Sequence, residues 1–295
     1  SVNLDIKLDE QLAVKEAQVA TSFERAEVAF PELYPEPLRL RSANIGATYY
    51  AQSQRNIQAN DAEQKEGSNP PRITIDDFVI EDQQGLLLSA QGGMTLPVAS
   101  DALNLDTIFR LETASIEEAM HYLPPEQTQD LLEWLRKSTN YKTARLDGLT
   151  FNLKGNLRDF PFEYGKADEG EGLMEAHFDY KNLDVLFHPN LPELEQVKGQ
   201  AVLQGDVLRV VSPKGGDLAG QSLTEIDVII SDIINRDKPP LLRATGKVAG
   251  PADGVLPLVA KLFDVEPLLD EIEGSQTSTV DLVLPLKGKD GSDGS

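Results

Sequence analysis

Chemistry at neutral pH is usually done by histidines, thiols, paired carboxylates or glycines that cradle phosphate. His121, His177 and His188 are the only histidines of this 295-residue chain. No two stand four apart or in His-Glu-x-x-His, the spacing that puts two imidazoles on one helical face, so no metal site is expected. His121 sits between Met120 and Tyr122 in a helical stretch and reads as structural or exposed. With no cysteine, disulfides, thiolate metal sites and cysteine nucleophiles are excluded, although this leaves the redox compartment open. Adjacent acids occur at Asp76-Asp77, Glu117-Glu118 and Asp270-Glu271, in a chain where acids abound. Carboxylate catalysis needs two of them fixed across a cleft, which adjacency does not provide. Gly92-Gly93 and Gly215-Gly216 read as β-turns, because neither opens a helix with phosphate-loop spacing. Asp290-Gly-Ser-Asp-Gly lacks the ligand count of a calcium loop. No enzyme activity and no cofactor are expected.

What the sequence does carry is alternation. In Gly148-Leu-Thr-Phe-Asn-Leu-Lys-Gly, one side of a strand holds Leu149, Phe151 and Leu153, and the other holds Thr150, Asn152 and Lys154. Met174, Ala176, Phe178 and Tyr180 repeat the pattern, as do Val197, Ala201 and Leu203, and then Ile226, Val228 and Ile230. An apolar side of this kind is either packed core in a closed sandwich or the accessible inside of an open, curled sheet able to hold acyl chains. Alternation leaves both readings open.

The elements that would position these residues are mostly strands. Residues 2–51 read as three or four, with Val2, Leu4, Ile6 and Leu8 on one face. Ala13–Phe30 is taken as strand although Ala, Glu and Lys favour helix, because Pro31, Pro35 and Pro37 bound it. Residues 52–71 are too polar for a core and form a flexible loop. Strands resume at Arg72–Ile80, with Asp76-Asp77 as a bulge or turn, then at Gly85–Gln91 and Leu103–Leu111, separated by Gly92-Gly93 and Pro97. At Ser115 the period changes. Ser115-Ile-Glu-Glu is a capping box, Pro124-Pro125 stops one helix and primes the next, and Leu131, Leu132, Leu135 and Trp134 give the second its apolar side. After the 148–155 strand, Asp159-Phe-Pro-Phe turns the chain. The second half repeats the plan, with strands near 174–186, 197–205, 207–211, 223–230, 241–248 and 280–286. A helical stripe of Leu258, Leu262 and Phe263 and a helical turn at 266–272 fall between the last two. Leu282-Val-Leu-Pro-Leu-Lys-Gly echoes Leu149-Thr-Phe-Asn-Leu-Lys-Gly 133 residues later, an internal repeat. The expected organisation is N-terminal strands (1–51), the loop (52–71), a strand–helix–helix–strand unit (72–164), a second unit of that plan (165–288) and a disordered tail (289–295).

Composition narrows the partners. Lys plus Arg number 27 against 49 Asp plus Glu, a net charge of −22. Such a surface repels phosphate backbones and anionic headgroups, which argues against nucleic acid and polybasic membrane docking. No run approaches the ~20 apolar residues of a membrane helix. There is no signal-peptide pattern, and the chain is expected to be an internal stretch of a longer protein.

Tyr122-Leu-Pro-Pro, Leu131-Leu-Glu-Trp-Leu, the 148–162 strand through Asp159-Phe-Pro-Phe, Phe187-His-Pro, Gly246-Lys-Val-Ala-Gly-Pro-Ala-Asp and Leu282-Val-Leu-Pro-Leu together resemble the AsmA-like proteins of Gram-negative bacteria, in their YhdP branch. The resemblance is most specific over residues 115–288. It implies a mainly β fold of the bridge-like lipid-transfer type, an elongated, curled antiparallel β-sheet groove with short helical insertions near 115–137 and 253–273. It also implies a periplasmic body anchored in the inner membrane, acting in phospholipid movement between inner and outer membranes. On that reading Leu149, Phe151, Leu153, Phe178, Tyr180, Leu203, Val228 and Ile230 line the groove. The partners are phospholipid, other parts of the same long chain and envelope proteins. The alternative is a non-catalytic structural or assembly module with a closed β core and partner-binding sheet edges.

Overall fold

The structure, a computed structural model, describes residues 2–29, 37–51, 70–97, 103–121, 125–160, 162–166, 172–233, 240–263, 265–266 and 273–285. Most of the 52–71 loop, Pro161, the 266–272 turn beyond Glu266 and the 289–295 tail lie outside these residues.

The fold is mainly β. The strands are β1 (Val2–Leu8), β2 (Val14–Val28), β3 (Leu38–Tyr50), β4 (Arg72–Asp82), β5 (Leu87–Thr95), β6 (Asn104–Ser115), β7 (Arg145–Asn156), β8 (Leu173–Val185), β9 (Leu194–Gln204), β10 (Val207–Ser212), β11 (Gly216–Leu218), β12 (Gln221–Ser231), β13 (Leu241–Pro251) and β14 (Ser275–Pro285). Among the described residues three short α-helices interrupt them: α1 (Ile116–Met120), α2 (Pro125–Ser138) and α3 (Ala252–Phe263). Hydrogen-bonded neighbours follow chain order from β1 to β10 and continue through β12, β13 and β14, with β11 pairing β9 and β12. Such sequential pairing is what antiparallel strands joined by short connections produce. The chain divides into two compact units, Ser1–Leu111 with Thr150–Glu175 and Glu112–Leu149 with Ala176–Ser295.

In the first unit, Val14–Val28 is a strand, as its flanking prolines suggested, despite its helix-favouring composition. Cross-strand register aligns apolar residues into rows. One runs Ile6, Ala17, Tyr49, Ile73, Met94, Leu105, and the next runs Leu4, Val19, Ala47, Ile75, Gly92, Thr107. The opposite face carries the ion pairs Lys7–Glu16, Arg41–Glu81 and Lys154–Asp106. Asp76 is skipped in the ladder between Gly46–Asp77 and Ala47–Ile75, so the acidic pair does form a bulge. Its carboxylate accepts from the Thr48 and Thr74 hydroxyls.

Gly92-Gly93 corrects the sequence reading. The pair lies inside β5 and is not a turn. Gly92 has φ +127, and a Cβ there would fall 2.8 Å from Thr107 Cα on β6. The glycine is required by close approach of a neighbouring strand, a need that local sequence does not display. Gly215 does sit in a turn, donating to Ser212 O at 3.2 Å, while Gly216 begins β11.

The second unit places its helices in two insertions of similar construction. The first leaves β6 as α1 and α2 and returns as β7, and Ile116 N–H donates to Ala144 O at 3.2 Å across its base. The second leaves β13 as α3 and returns as β14, and Ala252 N–H donates to Gly274 O at 2.9 Å across its base. The capping box forms as its residue types require: Ser115 Oγ accepts from Glu118 N at 3.1 Å, and Glu118 Oε2 accepts from Ser115 N at 2.6 Å. Ile116, Met120, Leu132 and Ala144 make a buried cluster, with Leu135, Leu146 and Leu183 against it. Leu146 and Leu183 also touch the main cluster of this unit, Tyr180, Leu194, Val197, Ala201 and Leu218. Trp134 is exposed and adds nothing to that packing.

Candidate functional site

Among the described residues the geometry offers an apolar sheet face. Among the described residues there is no group of three or more His, Asp or Glu side chains able to hold a metal. His121 caps α1, its Nδ1 2.9 Å from Glu117 O, and is exposed. His177 lies beside Asp147 and Asp179 in a shallow depression of about 250 Å³. Asp147 there is paired with Lys181, whose hydrogen bond holds the carboxyl below its usual range while the carboxylate holds the ammonium above its own. That is a structural ion pair on a charged surface.

The residues nominated by alternation fall in two places. In the first unit, Phe151 and Leu153 are half-buried on β7. Phe151 stacks at a tilt against Phe109, with centroids 6.3 Å apart, and Thr107 Oγ1 donates to Leu153 O at 3.4 Å. In the second unit, register brings Leu203 opposite Leu208, Leu208 opposite Ile230 and Ile230 opposite Leu242. Ala201, Val210, Val228 and Ala244 form the adjacent row. Leu203, Val228 and Ile230 therefore share a face, and all three are half-buried. Leu149 is half-buried on β7 just past the Gly148 kink at φ +62.

Tyr180 and Phe178 sit deeper. Tyr180 is 4% exposed at the centre of the main cluster, and Phe178 packs against it. The Tyr180 ring lies over Gly199, where a Cβ would come 2.7 Å from the phenol oxygen, and its hydroxyl donates to Val211 O at 3.4 Å. Burial pushes the phenol up to about 12. At this end of the strands the helices cover the apolar face, Leu258 of α3 resting on the Tyr180 cluster. The rows of Leu203, Leu208, Ile230 and Leu242 lie toward the other end.

Sequence reasoning did not nominate the most open part of the apolar side. On β1, Val2, Leu4, Ile6 and Leu8 are 69%, 63%, 47% and 49% exposed, and Val19 and Phe23 on β2 are exposed beside them. The signal was available, since these residues alternate as cleanly as the 149–153 strand. Phe162 and Gln221, both fully buried, were also not singled out. The partners of Gln221, Pro251 and Gln276, are distant in sequence, and those of Phe162, Gly155 and Gly172, stand on either side of the turn that carries it.

The chain thus defines an antiparallel sheet protein, apolar on one side and ion-paired on the other, with two helical insertions. It belongs to the YhdP protein family, whose profile matches residues 6–294. Comparison with curated proteins and with solved structures finds no match. Among the described residues, no helix is long and apolar enough to cross a membrane.

Proposed function

We propose that this chain is a section of a periplasmic conduit that holds phospholipid acyl chains against the apolar side of its sheet, between inner and outer membranes and without catalysis. The observation that carries the reading is the uncovered apolar side of β1 and β2 in the first unit, where four aliphatic residues of one strand lie open to solvent. An exposed apolar patch of this extent is uncommon on a self-contained soluble domain. Family membership supports the same reading, because the AsmA-like resemblance implies lipid transport. Leu149, Phe151, Leu153, Leu203, Val228 and Ile230 meet acyl chains, with Phe178 and Tyr180 backing them from the core. The ion-paired side keeps the chain in water, and the two strand–helix–strand passages are copies of one plan.

Purified chain, extracted with organic solvent and weighed intact by native mass spectrometry, is expected to carry phospholipid. Protein that emerges lipid-free and takes up none from phosphatidylethanolamine vesicles overturns the proposal.

A second reading, a structural module of the envelope, draws on the buried packing around Tyr180 and on β14 as a pairing edge. β14 pairs β13 over eleven uninterrupted positions with one charged residue, Asp281. Edges so lightly protected recruit strands. Lipid-free protein that binds an envelope partner through β14 would favour it.

A further inference from the structure

The alternation of the first unit breaks at Arg25. This residue lies inside β2 yet has φ +55, a left-handed conformation that is costly to any residue but glycine. Phe23 pairs with Ala43 and Ala26 with Leu40, and Ala43 and Leu40 belong to one buried cluster with Ile80. Two residues therefore separate consecutive apolar positions on each strand, where alternation allows one. They are Glu24 and Arg25 on β2, and Arg41 and Ser42 on β3. The ladder from β3 to β4 slips at the same place, between Leu40 and Ser42. All four residues, with Glu81 of β4, line a depression of about 340 Å³ on the side of the sheet away from that cluster.

The depression holds two charges of each sign, and half of them are satisfied. Arg41 Nη1 lies 2.9 Å from Glu81 Oε1, and Ser42 Oγ donates to Glu81 Oε2 at 3.3 Å. The side chains of Glu24 and Arg25 are consecutive, opposite in charge and line the same space. Neither has an ion-pair or hydrogen-bond partner among the described residues. Flanked by the pairs Glu24–Ser42 and Ala26–Leu40, Arg25 also stands across from Arg41, and like charges opposite one another destabilise a ladder. An anion between the two guanidiniums offsets their repulsion, and a cation beside it meets the lone carboxylate of Glu24.

We propose that this depression binds a phosphoethanolamine group, with its phosphate between Arg25 and Arg41 and its ammonium on Glu24 and Glu81. A phosphate suits two guanidinium forks better than a carboxylate does, because it offers more than two oxygens. The equal count of both signs favours a zwitterion over a simple anion, which Glu24 and Glu81 would repel. The group is carried by a soluble ester or by a phospholipid headgroup, and the second source rests on the function proposed above.

The arginine Nε–Hε signals of the intact chain, followed by NMR, report binding. Glycerophosphoethanolamine is expected to shift those of Arg25 and Arg41 and to bind about tenfold or more tightly than inorganic phosphate or ethanolamine, each of which meets half the site. Arg25→Gly frees the backbone to adopt φ +55, so it should leave the urea midpoint unchanged or raised while weakening binding by about tenfold or more. No shift at Arg25 and Arg41, equal binding of inorganic phosphate, or binding that survives Arg25→Gly overturns the site. Vesicles of phosphatidylethanolamine separate the two sources. Lipid uptake that falls in Arg25→Gly assigns the headgroup to the depression. Undiminished uptake, with the ester still bound by the parent, assigns the site to a soluble ester and leaves the acyl-chain reading standing. No uptake by the parent, with the ester still bound, sustains the site and sinks the lipid reading.

Discussion

The ring of Phe162 fills the space that Gly155 leaves by having no side chain. A Cβ at Gly155 would come 2.9 Å from the ring carbon Cζ, and one at Gly172, just before β8, 2.7 Å from the same atom. Phe162 is among the largest fully buried side chains, and it meets Phe160 edge-on at 5.8 Å. An aromatic ring laid over two glycines covers bare backbone and closes the apolar side at that row. Both glycines are at positive φ, +134 and +115, where an alanine is strained even before it meets the ring.

Gly155→Ala and Gly172→Ala are each expected to destabilise the first unit by about 2–4 kcal/mol, strain and overpacking together. Phe162→Ala should cost about 3–5 kcal/mol through the cavity it leaves. In urea titrations the pair Gly155→Ala with Phe162→Ala should cost less than the sum of its parts, because removing the ring relieves the clash. Strict additivity would mean that the ring does not sit on Gly155.

Tyr180 makes stability depend on alkaline pH. Its folded-state value near 12 lies above the ordinary phenol value of about 10, so the native state favours the protonated form. Stability from this group is complete below pH ~10 and is lost as pH rises toward 12, by about 2–3 kcal/mol. Tyr180→Phe should remove that dependence while keeping the ring over Gly199, at the small cost of the long hydrogen bond to Val211 O. Urea midpoints at pH 9 and pH 11.5 provide the comparison. An equal fall in both proteins would place the loss elsewhere.

Much of this architecture is written locally. Val2–Leu8, the 148–155 segment and the 223–230 segment alternate with period two because one side is apolar, and each became a strand. Ser115-Ile-Glu-Glu could cap a helix within four residues, and it does. What escaped the sequence depends on partners in other strands or across turns. Gly92 needs β6 beside it, Gly155 needs Phe162, and Gly250 and Gly254 need Gln221. Each looks like a turn or a neutral position when read alone. The same limit applied to the candidate face: alternation placed Tyr180 and Val228 in equivalent strand positions, while the helical insertions decided that Tyr180 is core and Val228 half-buried.

The capping box gives α1 an acid-sensitive start. The Ser115 backbone N–H holds the Glu118 carboxyl below its usual range, with help from the Ser115 hydroxyl and Arg145. A depressed value adds stability that is present above the unfolded carboxyl range and is lost as pH falls through the folded one. Ser115→Ala should cost about 1 kcal/mol at neutral pH. Glu118→Gln should flatten the acid dependence of exchange protection at the start of α1, whereas Ser115→Ala, which keeps the backbone N–H, should reduce it only in part. Unaltered acid dependence in Glu118→Gln would show that it arises from another group.

The two readings of the apolar side differ most sharply at four residues. Leu4 and Ile6 are exposed, Phe151 is half-buried, and Ile80 is buried with Leu40 and Ala43. If the side holds acyl chains, Leu4→Asp and Ile6→Asp should change stability by no more than about 1 kcal/mol, as exposed positions do, yet lower the phospholipid that co-purifies. Phe151→Asp should stay folded by circular dichroism and lose most of its lipid. Ile80→Asp should unfold the first unit, because a lone carboxylate in that cluster has no partner. If instead Phe151→Asp unfolds the protein as readily as Ile80→Asp, and the β1 variants carry as much lipid as the parent, the apolar side is core, and the function must be sought at the sheet edges.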